Sequence, residues 1–157
     1  MQLNFSPSLK HFAEDICITR SFLSSNVYKE GTDMFRGDME FHYSMMGIWG
    51  EMIARDYLIQ KGKEFKSAPL VDKKPVVGAD IFMDDMKIDV KTINPNSNHL
   101  YVTKKSHDNP KKDVTHYWFI LPKQKTKATT YFIDAKEVYD WEVHPSRYRA
   151  VYRIRRK

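Results

Sequence analysis

A chain of 157 residues, 41% of them hydrophobic, is long enough for one domain around a single core and too short for two. No 18 apolar residues run together, and the start is polar and contains proline, so we expect neither a membrane span nor a secretory signal. Cys17 is the only cysteine, which excludes an internal disulfide. We therefore infer a cytoplasmic protein. The net charge of +6 argues against a strongly acidic protein and suits a polyanionic partner such as nucleic acid.

The N-terminal part of the chain is predicted to be helical. Ser6-Pro7, followed by apolar residues at helical spacing, starts a first helix that continues to about Leu23. A polar connection over residues 24–37 leads to Asp38, the expected N-cap of a long helix that runs to about Lys61.

The sequence predicts where the long helix ends and places a strip of small residues along it. Gly62 is its predicted C-terminal stop. A strip of small residues should let another backbone approach it closely: Gly47, Gly50 and Ala54.

The remainder of the chain is rich in β-branched and aromatic residues, as strands are. The predicted strands are Val76–Met83, Met86–Ile93, Leu100–Lys104, His116–Leu121 and Thr129–Ile133. A short helix over Ala135–Trp141 is expected before a last strand. The order of elements predicts an α+β (α/β) fold with a central mixed β-sheet flanked by helices.

The first two strands are predicted to form a hairpin that gathers charged residues on one face. A two-residue turn at Asp84-Asp85 would place Asp80 opposite Asp89 and Gly78 opposite Lys91. By alternation, the other face is apolar and buried. Its residues are Val77, Ala79, Ile81, Ile88 and Val90.

Two facing carboxylates would repel each other unless water or a cation compensates them. Mg²⁺ prefers hard oxygen ligands, commonly one or two carboxylates with waters and a substrate phosphate. Lys91 would emerge beside Asp80 and Asp89, where an ammonium group can position a water or stabilise charge on a phosphate. The alternative interpretation is a solvated, salt-bridged hairpin without a ligand. If Asp80 and Asp89 face each other, Asp89→Asn should relieve their repulsion and raise the melting temperature of the metal-free protein.

These residues resemble the signature of the PD-(D/E)XK nuclease superfamily, whose members have the restriction-endonuclease-like fold. The matching segments are Gly78-Ala79-Asp80 and Asp89-Val90-Lys91, and Glu51 is similar to a glutamate that often lies on the preceding helix. The resemblance extends over about residues 38–133. It departs from the family pattern at Ala79, where a proline is common.

The resemblance implies a single nuclease domain over 1–157, made of an N-terminal helical extension (1–37), a nuclease core (38–133) and a C-terminal helix and basic strand (134–157). It also implies an endonuclease that hydrolyses phosphodiester bonds in DNA with Mg²⁺, or Mn²⁺ in its place. A homodimer is a further expectation. Asp80 and Asp89 would be metal ligands, with Glu51 and the Val90 carbonyl as further ligands, and Lys91 would act on the water or phosphate. A non-cleaving nucleic-acid-binding module on the same fold and a nuclease acting on RNA remain alternatives.

Positive charge is concentrated in two segments that are candidates for nucleic-acid binding. Residues 91–127 carry eight basic and two acidic side chains, and residues 147–157 carry six basic and none acidic. The candidate residues are Lys104, Lys105, Lys111, Lys112, Arg147, Arg149, Arg153 and Arg155. The four arginines share one face of a strand-like run, which could equally be an edge strand protected by charge.

Other chemistry is not indicated. The six histidines have no zinc-binding spacing, and no glycine-rich phosphate loop is present. Aromatic residues in the strands could stack on bases, but we expect them in the core. They are Tyr101, Tyr117, Trp118 and Tyr131.

Overall fold

The structure is a computed structural model that describes residues 1–24, 40–71, 78–145 and 149–157. Within these ranges, two β-sheets and two long helices form a mixed α+β architecture. The predicted N-cap Asp38, the hairpin residues Val76 and Val77, and Arg147 lie outside the described residues, as does most of the predicted polar connection.

Both predicted N-terminal helices are confirmed. They are α1 (Leu9–Ser24) and α2 (Glu40–Gln60). Gly62 follows α2 with a positive φ of 63°, which glycine adopts without steric cost. The Lys63 N–H donates to the Leu58 carbonyl at 2.9 Å, so the helix ends in a Schellman motif at the predicted stop.

The larger sheet has six strands in the order β1-β7-β6-β4-β3-β2. Their bounds are β1 Gln2–Asn4, β2 Lys66–Ser67, β3 Ile81–Met83, β4 Met86–Thr92, β6 His116–Gln124 and β7 Lys127–Asp134. Among the described strands, β4 and β6 are the only parallel pair, so the sheet is mixed as predicted. The two short outer strands β1 and β2 were not predicted, because two- or three-residue strands carry too little pattern to recognise.

The smaller sheet has three antiparallel strands in the order β5-β9-β8. They are β5 His99–Thr103, β8 Glu142–His144 and β9 Val151–Arg155. A short helix, α3 (Lys104–His107), follows β5, and the helix predicted after β7 is a 3₁₀ helix over Ala135–Asp140. Since β9 lies between two partners, the interpretation of the basic terminal strand as an edge strand is wrong.

Hydrophobic cores cover both faces of β6. Trp118 and Ile120 pack with the helices, whereas Tyr117 and Phe119 alternate to the other face and pack with the smaller sheet. Burial on both faces explains why the segment has a nearly continuous apolar sequence.

The small-residue strip on α2 allows the predicted close approach at one point. A Cβ added at Gly50 would lie 3.0 Å from the Cβ of Thr92 on β4 and still closer to its hydroxyl, whereas one added at Gly47 would meet nothing within 4 Å. Gly50 therefore brings α2 against the strand that carries Asp89 and Lys91. No helix in the described part of the chain is long and apolar enough to cross a membrane.

Candidate active site

The β3–β4 hairpin has the predicted register up to Ile81. Ile81 pairs with Ile88 and Met83 with Met86, as a two-residue turn at Asp84-Asp85 requires. Asp84 takes a positive φ of 51°, as such tight turns demand of at least one central residue. The predicted apolar face is confirmed for its described members, since Ala79, Ile81, Ile88 and Val90 are buried.

Beyond Ile81 the hairpin departs from the predicted pairing. The Asp80 N–H donates to the Ile88 carbonyl at 2.8 Å, and the Asp80 carboxylate accepts a hydrogen bond from the Val90 N–H at 2.7 Å. The Asp80 side chain thus accepts the hydrogen bond of the Val90 N–H, which would bond to the backbone of the neighbouring strand if the antiparallel pairing continued. The prediction that Asp80 pairs with Asp89, and Gly78 with Lys91, is therefore wrong, although Asp80 remains close to β4.

Asp89 is buried between two ammonium groups. It is only 3% exposed, with Lys91 Nζ 2.6 Å from one carboxylate oxygen and Lys112 Nζ bound to the other. Burial raises the pKa of Asp89, but Lys91 and Lys112 outweigh it and hold the pKa below its ordinary value. The salt bridges of the alternative interpretation are present, but the Asp89 carboxylate is buried and not solvated. Its lowered pKa argues against the predicted stabilisation of the metal-free protein by Asp89→Asn.

The surroundings of Asp80 destabilise its charged form. Burial raises its pKa to about 7, with further contributions from the carboxylates of Glu51 and Asp89, while the hydrogen bond from Val90 opposes the rise. Burial also raises the pKa of Glu51; the nearby arginines offset part of that rise and Asp89 adds to it. α2 therefore brings Glu51 into electrostatic contact with both hairpin carboxylates, as predicted from the small-residue strip.

The structure adds cationic residues that the sequence did not suggest for this site. Arg55 contacts Glu51 at 3.4 Å and donates to the Ala68 carbonyl at 2.7 Å. Its position four residues after Glu51 on a helix could have indicated the pair. Arg20, on α1, also lowers the pKa of Glu51 and bonds the Leu70 carbonyl, a tertiary placement without a local signal.

Lys91 is kept protonated by its surroundings. Burial lowers its pKa, but the ion pair and hydrogen bond with Asp89 outweigh that effect, so the pKa lies above its ordinary value. Lys91 therefore acts here as an ammonium group, suited to stabilising a phosphate charge and unsuited to removing a proton.

Among the ranges that the structure describes, no group of three or more His, Cys, Asp or Glu side chains has the geometry of a metal site. The donor chemistry nevertheless fits Mg²⁺, since carboxylate and carbonyl oxygens are its usual protein ligands. Both Asp89 oxygens bind ammonium groups, whereas Asp80 and Glu51 have raised pKa values, mainly because burial disfavours their charged forms. A divalent cation bound at the Asp80 and Glu51 oxygens would favour those charged forms.

A cleft of about 590 Å³ opens beside Lys91, between α2, β4 and the smaller sheet. Its lining includes two tyrosines and several basic side chains: Tyr43, Lys91, His99, Tyr101, His144, Arg149 and Arg153. Tyr101 is 43% exposed, so its predicted burial in the core is wrong, whereas Tyr117 and Trp118 are buried as expected.

The basic residues predicted to bind nucleic acid occupy different surroundings. Lys112 reaches the carboxylate cluster, whereas Lys104 pairs with Asp108 and lies over the Tyr152 ring. Lys105 and Lys111 are exposed on the loop side of the smaller sheet.

The terminal arginines converge on the cleft. Arg149 and Arg153 line it, although Arg153 also forms two hydrogen bonds with Glu142, at 2.9 and 3.1 Å. Arg155 is exposed opposite His99.

No family model, curated protein or solved structure matches this chain.

Proposed function

We propose that the chain is a Mg²⁺-dependent nuclease of the PD-(D/E)XK type, with a restriction-endonuclease-like fold, that hydrolyses phosphodiester bonds in DNA. The observation that supports this most directly is the convergence of Glu51, Asp80 and Asp89 with Lys91. Glu51 comes from α2 and the other three groups from the β3–β4 hairpin and the residue before it, and their pKa values are shifted in opposite directions. Such opposed shifts are typical of functional sites.

In the proposed reaction, Asp80 and Asp89 would hold Mg²⁺, with Glu51 and the Val90 carbonyl as further oxygen donors. The bound ion would polarise the phosphate and make an attacking water more acidic. Lys91, kept as an ammonium group by Asp89, would stabilise the charge that develops on the phosphate. Arg55, 3.4 Å from Glu51, would orient its carboxylate, and the charge of Arg20 also favours the ionised form of Glu51.

One observation favours the alternative of a non-cleaving nucleic-acid-binding module. Both carboxylate oxygens of Asp89 are engaged by ammonium groups, so a metal ion must compete with Lys112 for one of them. If that exchange does not occur, the cluster is a structural ion-pair network. Metal titration of the purified protein therefore separates the two functions.

The test is cleavage of a substrate panel of single-stranded, duplex and branched DNA and of RNA, with Mg²⁺, Mn²⁺ or EDTA. We expect cleavage with either metal and none in EDTA. Asp89→Asn and Lys91→Gln should abolish it. The matched controls are Asp84→Asn in the turn and Lys87→Gln, an exposed lysine on the same strand that pairs with Asp113 at 2.5 Å. Retained cleavage in Asp89→Asn would refute the proposed site.

A further inference from the structure

The cleft beside Lys91 has features that a duplex-binding surface does not need. Two tyrosines line it from different elements, Tyr43 on α2 and Tyr101 on β5, and they are 46% and 43% exposed. Solvent-exposed aromatic rings in a basic groove offer stacking platforms for bases. In a duplex the base faces are already stacked on one another, so such platforms have no use there.

The two tyrosines and an arginine lie close together. Burial raises the pKa of Tyr101, the neighbouring Tyr43 hydroxyl adds to the rise, and Arg149 opposes it. Tyr101 is also the direct cross-strand partner of Arg153 on β9. Two arginines of the cleft lining therefore lie near the exposed ring, and a cation beside an aromatic ring is the combination that binds a phosphate and its attached base together.

The dimensions of the cleft limit what can enter it. Its volume of about 590 Å³ lies within the range of roughly 300–1,000 Å³ typical of small-molecule sites. A site of this size receives a few nucleotides of one strand. Because Lys91 lies in the lining, a strand bound there would place a phosphate beside the carboxylate cluster.

We propose that this cleft binds a single-stranded segment of nucleic acid, with bases on Tyr43 and Tyr101 and phosphates on Arg149 and Arg153. The inference rests on the proposed nuclease function and names the form of its substrate. It predicts that the strand enters the site unpaired, as a free tail, a flap or an unwound end. An acidic peptide would also suit a basic cleft, but peptide binding would not explain why the cleft extends to Lys91.

The test measures binding without cleavage. Fluorescence anisotropy in EDTA compares a short labelled DNA strand, the RNA strand of the same sequence and the blunt DNA duplex. We expect either single strand to bind at least about tenfold more tightly than the duplex, and the tighter of the two identifies the type of nucleic acid. Duplex binding equal to or tighter than that of both strands would overturn the proposal.

Variants then assign binding to the cleft. Tyr43→Ala and Tyr101→Leu should each weaken single-strand binding by at least about fivefold, the lower end of measured stacking losses. Phe82→Leu is the matched control, since Phe82 is 41% exposed on β3 and does not line the cleft. Tyr43 lies on an exposed helix position, so its variant remains informative even if Tyr101→Leu fails to fold. Equal affinity of Tyr43→Ala and Phe82→Leu would overturn the proposal.

Arg149→Gln tests the phosphate contact through its salt dependence. Loss of one contact should reduce the slope of log affinity against log salt by about 0.7. Lys136→Gln, an exposed lysine outside the cleft, should leave the slope unchanged. The two proposals are refuted by different results. Single-strand binding without cleavage refutes the nuclease function. Duplex cleavage that persists in both tyrosine variants refutes the single-strand cleft.

Discussion

Asp80→Asn should stabilise the protein in the absence of metal. The ionised carboxylate of Asp80 is buried near Glu51 and Asp89, and its pKa is raised from 3.8 to about 7. At 1.36 kcal/mol per pKa unit, this shift corresponds to an upper limit of about 4 kcal/mol of destabilisation above pH 7. Asparagine removes the charge, and its side-chain oxygen can still accept the hydrogen bond from the Val90 N–H.

The net gain should be smaller than this limit, because the new amide must itself be desolvated and its N–H donors need partners. We expect about 1–2 kcal/mol at pH 8, which corresponds to roughly 2–8 °C in melting temperature for a domain of this size. The assay is thermal unfolding in EDTA, with Asp84→Asn in the exposed turn as the matched control.

The pH dependence of this difference tests its cause. The folded-state pKa of Asp80 is raised above its unfolded value, so the cost of its charge is present above about pH 7 and disappears as the pH falls toward 4. The advantage of Asp80→Asn should therefore shrink between pH 8 and pH 5. A variant that is less stable than wild type at pH 8, or an advantage that does not change with pH, would refute the electrostatic account.

Three further predictions concern the same fold. Asp89→Asn should lower the metal-free stability by roughly 3 kcal/mol in denaturant unfolding, because it leaves two partly buried ammonium groups without their carboxylate; an increase in stability would contradict the ion-pair arrangement. Gly50→Ala should lower the free energy of unfolding by about 1–3 kcal/mol through its clash with Thr92. Gly47→Ala, which meets no neighbour, should raise it by up to about 1 kcal/mol through helix propensity. Equal melting temperatures of the two variants would disprove the close approach. Burial lowers the pKa of His107, so the unfolded state takes up a proton first and stability should fall as the pH drops below about 6.5; the slope of melting temperature against pH should be shallower in His107→Phe.

Much of the fold follows from local patterns. Apolar spacing predicts α1 and α2, and Gly62 gives the end of α2 because its positive φ is required there. The hairpin register between Ile81 and Ile88 follows from the turn Asp84-Asp85, since a two-residue turn fixes the pairs next to it. These features depend on residues close in sequence, which a single chain displays directly.

The rest depends on contacts between distant segments. β9 pairs with β5, some fifty residues earlier, so its position in the middle of a sheet cannot be read from its own alternating pattern. Lys112 appears in the sequence as a loop lysine, and only the return of the chain into β6 brings it to Asp89. Arg20 approaches Glu51 through the packing of two helices, for which no local spacing exists.

The carboxylates of the cluster fall into two groups whose pKa values are shifted in opposite directions. Asp89 is ionised throughout the neutral range because Lys91 and Lys112 lower its pKa, so it gives the site a constant negative charge. Asp80 and Glu51 have raised pKa values, mainly because burial disfavours their charged forms. A divalent cation bound beside them would favour those charged forms, so its binding should release a proton from Asp80 near pH 7. Lys91 binds Asp89 and also lines the cleft, so it connects the carboxylate cluster with the cleft.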